Sequence, residues 1–245
     1  MATNGTAKQP RSKRRKDTLR YYNQSDWMRP TGLGAIIAAV VLFYFGWTYV
    51  SYILASLLMP GGLFLFFYAS VRHTSDADVE KERETLLRDF DSSVTGAEDY
   101  DHAVLRQPAS LLTEGWIADG DARYFRRTKS GNVISDRFVR SHLFFTRDAL
   151  LVCAREVSIT EMDADTGAGY TDRTMRIPFA DIRSAGLDEE RARVTLTKGG
   201  KPATMSTCTL VLTGAAGDLL RLPARNDMDA SAFCDAVNRR VKEGK

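Results

Sequence analysis

The chain has 245 residues and a formal net charge of +3, enough for one or two domains and too short for a large multidomain enzyme. Its 44% hydrophobic content is that of an ordinary soluble protein, yet no Asp, Glu, Lys or Arg occurs from residue 31 to residue 71. An uncharged run of that length excludes a purely soluble chain.

The first 30 residues carry Lys8, Arg11, Lys13, Arg14, Arg15, Lys16, Arg20 and Arg29 against only Asp17 and Asp26. A basic tail that abuts an apolar run reads as the cytoplasmic flank of a membrane segment. Lys13, Arg14, Arg15 and Lys16 are the candidates for meeting anionic headgroups, at roughly 1 kcal/mol each. A nuclear-localisation reading of the same four residues loses to the apolar span that follows them. Because the excess positive charge sits in the tail, a nucleic-acid partner is not expected.

A single straight helix over residues 31–71 would be about 60 Å long, twice the hydrocarbon thickness of roughly 30 Å. A break near residues 47–51 divides the run into two membrane helices, about 31–48 and 52–71, and puts Trp47, Tyr49 and Tyr52 at the interface. Pro60-Gly61-Gly62 is the rival break, but it leaves only residues 63–71 for the return. It is expected inside the second helix, as a kink whose small residues let the first helix approach. The run is too long for a signal peptide. This hairpin predicts a multi-pass cell-membrane protein with both termini cytoplasmic and the lipid bilayer as its first partner. Cys153, Cys208 and Cys234, odd in number and set among apolar neighbours, read as reduced core thiols.

Ser75 and Asp78 open a juxtamembrane amphipathic helix over residues 75–94, with Val79, Leu86, Leu87 and Phe90 on one face. Two heptads are too few for a coiled coil, so packing on the following domain is expected. Residues 95–110 read as a linker. From residue 111 the period becomes strand-like, with candidate strands at 114–118, 123–129, 133–145, 150–159, 173–177, 191–197, 205–213 and 219–222. The run 133–145 is expected to break near Ser135-Asp136. A final helix over 227–243 carries the stripe Met228, Ala232, Phe233, Val237 and Val241. The fold class is thus a membrane α-helical hairpin plus a mainly-β barrel of about seven antiparallel strands, with its C-terminal helix as a cap.

The segment His142-Leu-Phe-Phe-Thr-Arg-Asp-Ala-Leu-Leu-Val152 resembles the apolar hairpin of bacterial pleckstrin-homology-like (PH-like) domains. Arg176-Ile-Pro-Phe-Ala-Asp-Ile-Arg-Ser184 resembles their strand exit, and Leu219-Leu-Arg-Leu-Pro-Ala-Arg225 is similar to the last strand of small bacterial two-span membrane proteins with such a domain. The resemblance covers residues 111–243 and implies a PH-like barrel in 111–245 tethered to a membrane. It implies no activity, since members of such families bind varied partners.

No catalytic signature appears, so a non-enzyme is expected. His73, His102 and His142 share no ligand spacing, and neither a metal nor a cofactor is expected. Asp163-Ala-Asp165-Thr-Gly167 is spaced wrongly for a calcium loop. Residues 121–147 hold seven basic and two acidic groups, whereas residues 155–190 hold four and nine. Strand alternation puts Arg123, Arg127 and Lys129 on one face, and with Arg126 they are the candidates for a lipid headgroup. Two functions follow as expectations: a membrane-anchored cytoplasmic PH-like adaptor that receives a protein or peptide, or an anionic-lipid headgroup sensor working with the basic tail.

Overall fold

A computed structural model describes residues 18–24, 27–46, 48–71, 74–95, 110–118, 122–161 and 169–243. The chain divides into two compact units, Met1–Ser75 and Asp76–Lys245. The basic tail with Lys13, Arg14, Arg15 and Lys16, most of the linker, His73, His102 and the Asp163–Gly167 loop lie outside the described residues.

In the first unit, helix α1 (Met28–Phe45) and helix α2 (Tyr49–Val71) form a hairpin, and both are long and apolar enough to cross a membrane. Helix α1 ends at Gly46, whose amide donates to the Leu42 carbonyl, and at the start of α2 the Thr48 and Ser51 hydroxyls meet at 2.7 Å and the Ser51 amide donates to the Thr48 carbonyl. Pro60 sits inside α2 without ending it. It withholds the bond that the Ser56 carbonyl would have accepted, a cost that neighbouring groups can absorb in lipid. The two helices approach most closely through glycine. A Cβ on Gly32 would lie 2.7 Å from the Phe66 backbone nitrogen, and one on Gly62 would lie 2.9 Å from the Gly32 carbonyl oxygen. At the open end, Gln24 and Thr74 exchange two hydrogen bonds of 2.6 and 2.9 Å, so the two flanks of the hairpin meet.

The second unit starts with helix α3 (Asp76–Leu87) and helix α4 (Phe90–Thr95). The sequence reading gave one continuous helix over 75–94; the structure turns at Arg88-Asp89 so that both pieces follow the sheet below. Nine strands come next among the described residues: β1 (Leu111–Trp116), β2 (Phe125–Arg127), β3 (Val133–Ser135), β4 (Arg137–Phe145), β5 (Ala149–Ser158), β6 (Tyr170–Pro178), β7 (Ser184–Thr195), β8 (Pro202–Thr213) and β9 (Asp218–Ala224). All pairings are antiparallel, in a four-stranded sheet β1-β4-β5-β6, a three-stranded sheet β7-β8-β9 and the small hairpin β2-β3. Helix α5 (Met228–Glu243) ends the unit, and the Asp227 carboxylate accepts from the Ala230 amide at 2.9 Å to cap it. The mainly-β region with a C-terminal helix is therefore as expected, while the sheets remain separate in their hydrogen bonding and do not close into one ring.

Leu143, Leu150 and Val152 of the larger sheet face Leu210, Leu212 and Leu222 of the smaller one, and Phe233, Val237 and Val241 of α5 complete this main core. A second cluster joins Val194, Ala203 and Met205 to Trp116, Phe125 and Val133. Along β7 and β8 the two clusters use residues of opposite parity: Ala185, Leu210 and Leu212 against Val194, Ala203 and Met205. Since side chains alternate along a strand, this hairpin buries one face in its first half and the other face in its second.

Helices α3 and α4 lie on the outer face of the larger sheet. Phe90 and Val94 pack on Phe144, Leu151 and Cys153. Arg155, 5% exposed, makes two bonds of 2.6 Å to Asp172, donates to the Leu86 carbonyl at 3.1 Å, and lies 5.0 Å from the Phe90 ring centroid and 3.9 Å from that of Tyr170. Burial disfavours its charge, but the hydrogen bonds and attraction of Asp172 outweigh that and raise its pKa.

Two outcomes follow. Arg155→Lys keeps the charge but loses the fork, and should lower the unfolding free energy by about 1.5–3 kcal/mol, read from denaturant midpoints of the solubilised protein. Gly62→Val forces α1 away from α2 and should cost about 1–3 kcal/mol, read from the unfolding midpoint of the detergent-solubilised protein in a denaturant titration.

Candidate functional site

Of the four cations predicted as a headgroup site, Arg123, Arg127 and Lys129 are exposed and Arg126 is half-buried. The Arg123 side chain is exposed and paired with Glu161 at 3.0 Å, and its backbone amide donates to buried Asp136. Strand β2 covers only Phe125–Arg127, so alternation sends Arg126 to the face opposite Arg127, and Arg126 is half-buried. Lys129 stands in the β2–β3 turn, where its amide donates to Asp76 Oδ2 at 3.0 Å. Arg127 and Lys129 are the two of the four whose side chains stand exposed with no ion pair given to them among the described residues. The Asp136 carboxylate explains the local shape: it accepts from the Arg123 and Tyr124 amides and from the Thr160 hydroxyl, and so fixes the run into β2.

Other basic residues of the same stretch are neutralised by neighbouring strands. Arg137 pairs with Glu156 at 3.1 Å and Glu161 at 2.8 Å. Arg140 pairs with Glu114 at 2.8 Å and Asp91 at 3.4 Å.

Two recesses of the second unit flank the β7–β8 hairpin. The first is a cleft of about 250 Å³ between the sheets, with Trp116, Val139, Ala154, Met175, Ala192 and Leu222 among its walls. It falls where the β7–β8 hairpin exchanges one buried face for the other, so that neither face is fully covered there. Its charged rim is self-paired, with Glu156 3.6 Å from Arg173 and Glu190 3.6 Å from Arg221. An apolar recess with such a rim suits an uncharged side chain better than a phosphate. The second is a groove of about 440 Å³ beside the end of β9, lined by residues 131–134 and 204–208 together with Gly115, Trp116, Pro223 and Ala224. Gly115 is small of necessity, since its Cβ would lie 2.8 Å from Pro223 Cβ and part β1 from β9.

One constellation was invisible in the sequence. His142 Nε2 lies 2.8 Å from Asp91 Oδ1, and Cys153 stands opposite His142 across the β4–β5 ladder. An acid, an imidazole and a thiol in a row are the parts of a nucleophilic site. Here, however, the thiol is packed under Phe90 and Val94, and burial raises its pKa away from the reactive thiolate, against a smaller opposing bond from Thr174. The arrangement fastens α4 to the sheet. Among the described residues, no three His, Cys, Asp or Glu side chains gather as a metal site.

No family model matches the chain, and neither a curated protein nor a solved structure matches it.

Burial, with a lesser contribution from Asp235, pushes the Cys234 thiol up from about 9 to about 11. A group raised in the folded state contributes stability that is full below its unfolded pKa and lost as pH climbs through the folded one. The protein should therefore lose about 2–3 kcal/mol between pH 9 and pH 11 on this account, and Cys234→Ala should flatten that limb of the stability curve measured by denaturant titration.

Proposed function

We propose that the chain is a membrane-anchored, non-catalytic interaction module: the α1–α2 hairpin crosses the cell membrane twice, both termini are cytoplasmic, and the β-rich unit is a PH-like domain that receives a protein or peptide partner. The order of four meandering strands, three more and a C-terminal helix supports the PH-like reading, with β2–β3 as an insertion after the first strand. The meeting of Gln24 and Thr74 supports an even number of crossings.

The observation that carries the partner reading over the lipid reading is the self-paired rim of the intersheet cleft, together with the pairing of Arg123 with Glu161 and the half-buried position of Arg126. A headgroup phosphate needs convergent cations, and an uncharged side chain does not. A photo-crosslinking residue in place of Ala192, on the cleft wall, should give one discrete protein adduct in intact cells. Replacing the four cations by Gln should leave that adduct unchanged, whereas a headgroup sensor would lose its membrane-dependent capture. Recovery of uncrosslinked chain alone would sink the reading.

A further inference from the structure

Strands β7 and β8 pair along their whole length, from Ser184↔Thr213 to Thr195↔Pro202, but β9 pairs with β8 only from Cys208 to Thr213. Residues 203–207 of β8 are thus bonded in the sheet on one side alone. The cause lies just past β9, where the Arg225 guanidinium reaches Glu114 of β1 at 2.6 Å and the chain leaves the sheet to start α5.

The groove beside this stretch is lined by consecutive residues, 204–208 on one wall and 131–134 on the other. Alternate side chains of a strand point to opposite faces, so a wall made of every residue in turn is a backbone edge. Strand β3 is bonded only to β2, which makes the second wall an edge as well.

Exposed edges are normally guarded by charge or proline. Two other sheet edges obey that rule: β6 carries Asp172, Arg173 and Arg176, and β7 carries Asp188, Glu189, Glu190, Arg191 and Arg193. Residues 203–207 read Ala-Thr-Met-Ser-Thr, with the guards Lys201 and Pro202 only at their far end. None of the residues lining the groove is charged. A lysine or glutamate brought into it would be desolvated without a partner.

We infer that this groove takes an extended, uncharged peptide segment of a partner protein, which adds to the β8 edge as a strand in line with β9. This rests on the interaction-module reading and names its partner chemistry. The open edge of five residues accepts a segment of about five, or roughly 17 Å of extended chain. Main-chain hydrogen bonds hold the segment, and Gly131 and Ala224 leave room for small or β-branched side chains.

The test uses the full-length protein in nanodiscs and a pool of uncharged, capped pentapeptides rich in Val and Thr, with a matching backbone N-methylated pool. Unmethylated peptides should bind and slow amide exchange at Thr204 and Ser206, whose N–H groups point away from β7, at least tenfold. Backbone methylation should lower binding at least tenfold, as should a guard charge from either Ser206→Lys or Thr204→Lys, both at exposed positions. No binding from the pool overturns the inference, as does binding that is indifferent to methylation and to both lysines. Slow exchange at Thr204 and Ser206 before any peptide is added also overturns it, since the edge would already be satisfied. If the adduct captured at position 192 survives both lysine variants, this site is wrong and the module reading stands; if no adduct forms at all, both fall.

Discussion

The β-rich unit is shaped by a mismatch of strand lengths. Strands β7 and β8 each run twelve residues and β9 only seven, so the hairpin outruns the third strand of its sheet. Its far half cannot bury the face that the near half buries, because the main core and α5 do not extend that far. It turns its other face to Trp116, Phe125 and Val133 instead. The intersheet cleft opens at the change of face, and the open edge of β8 begins where β9 stops. Both recesses follow from one geometric fact, which gives a single hairpin control over two places where a partner can enter.

Charge is arranged on the same principle of local satisfaction. Along the sequence the basic and acidic groups are segregated, which suggested an electrically polar domain. Antiparallel pairing undoes the segregation, because arginine-rich β4 runs between β1 and β5, which supply Glu114 and Glu156, while Arg155 of β5 meets Asp172 of β6. Arg137, Arg140 and Arg155 each find a carboxylate within the sheet or on the helix above it. Charge counted over a window carries no information about register, so it does not by itself locate a headgroup site.

What was legible in the sequence follows the strength of each physical signal. The uncharged run and its length gave the two apolar helices, and the aromatic turn marked their division near residue 47; glycines 32 and 62 then set their contact. The 3.6-residue stripe gave α5. The first half of β7, residues 184–190, was missed because Gly186 and three consecutive acids mask an edge strand whose partner lies only on one side. The turn at Arg88-Asp89 was missed because both helical pieces keep the same apolar spacing, and only the surface beneath them requires the break. Neither recess was legible, since each depends on how far one strand runs past another.

The Arg155 clasp sets where the folded module begins. Its donors are shared among β6, the end of α3 and the rings of Phe90 and Tyr170, so residues 76–95 supply part of the wrapping of the larger sheet. A truncation that started at residue 96 would bare Phe144 and Leu151 and strand a guanidinium without the carbonyl it was built to meet. The compact unit accordingly begins at Asp76, and the juxtamembrane stretch, as its apolar face led one to expect, is a structural rib of the domain that follows it.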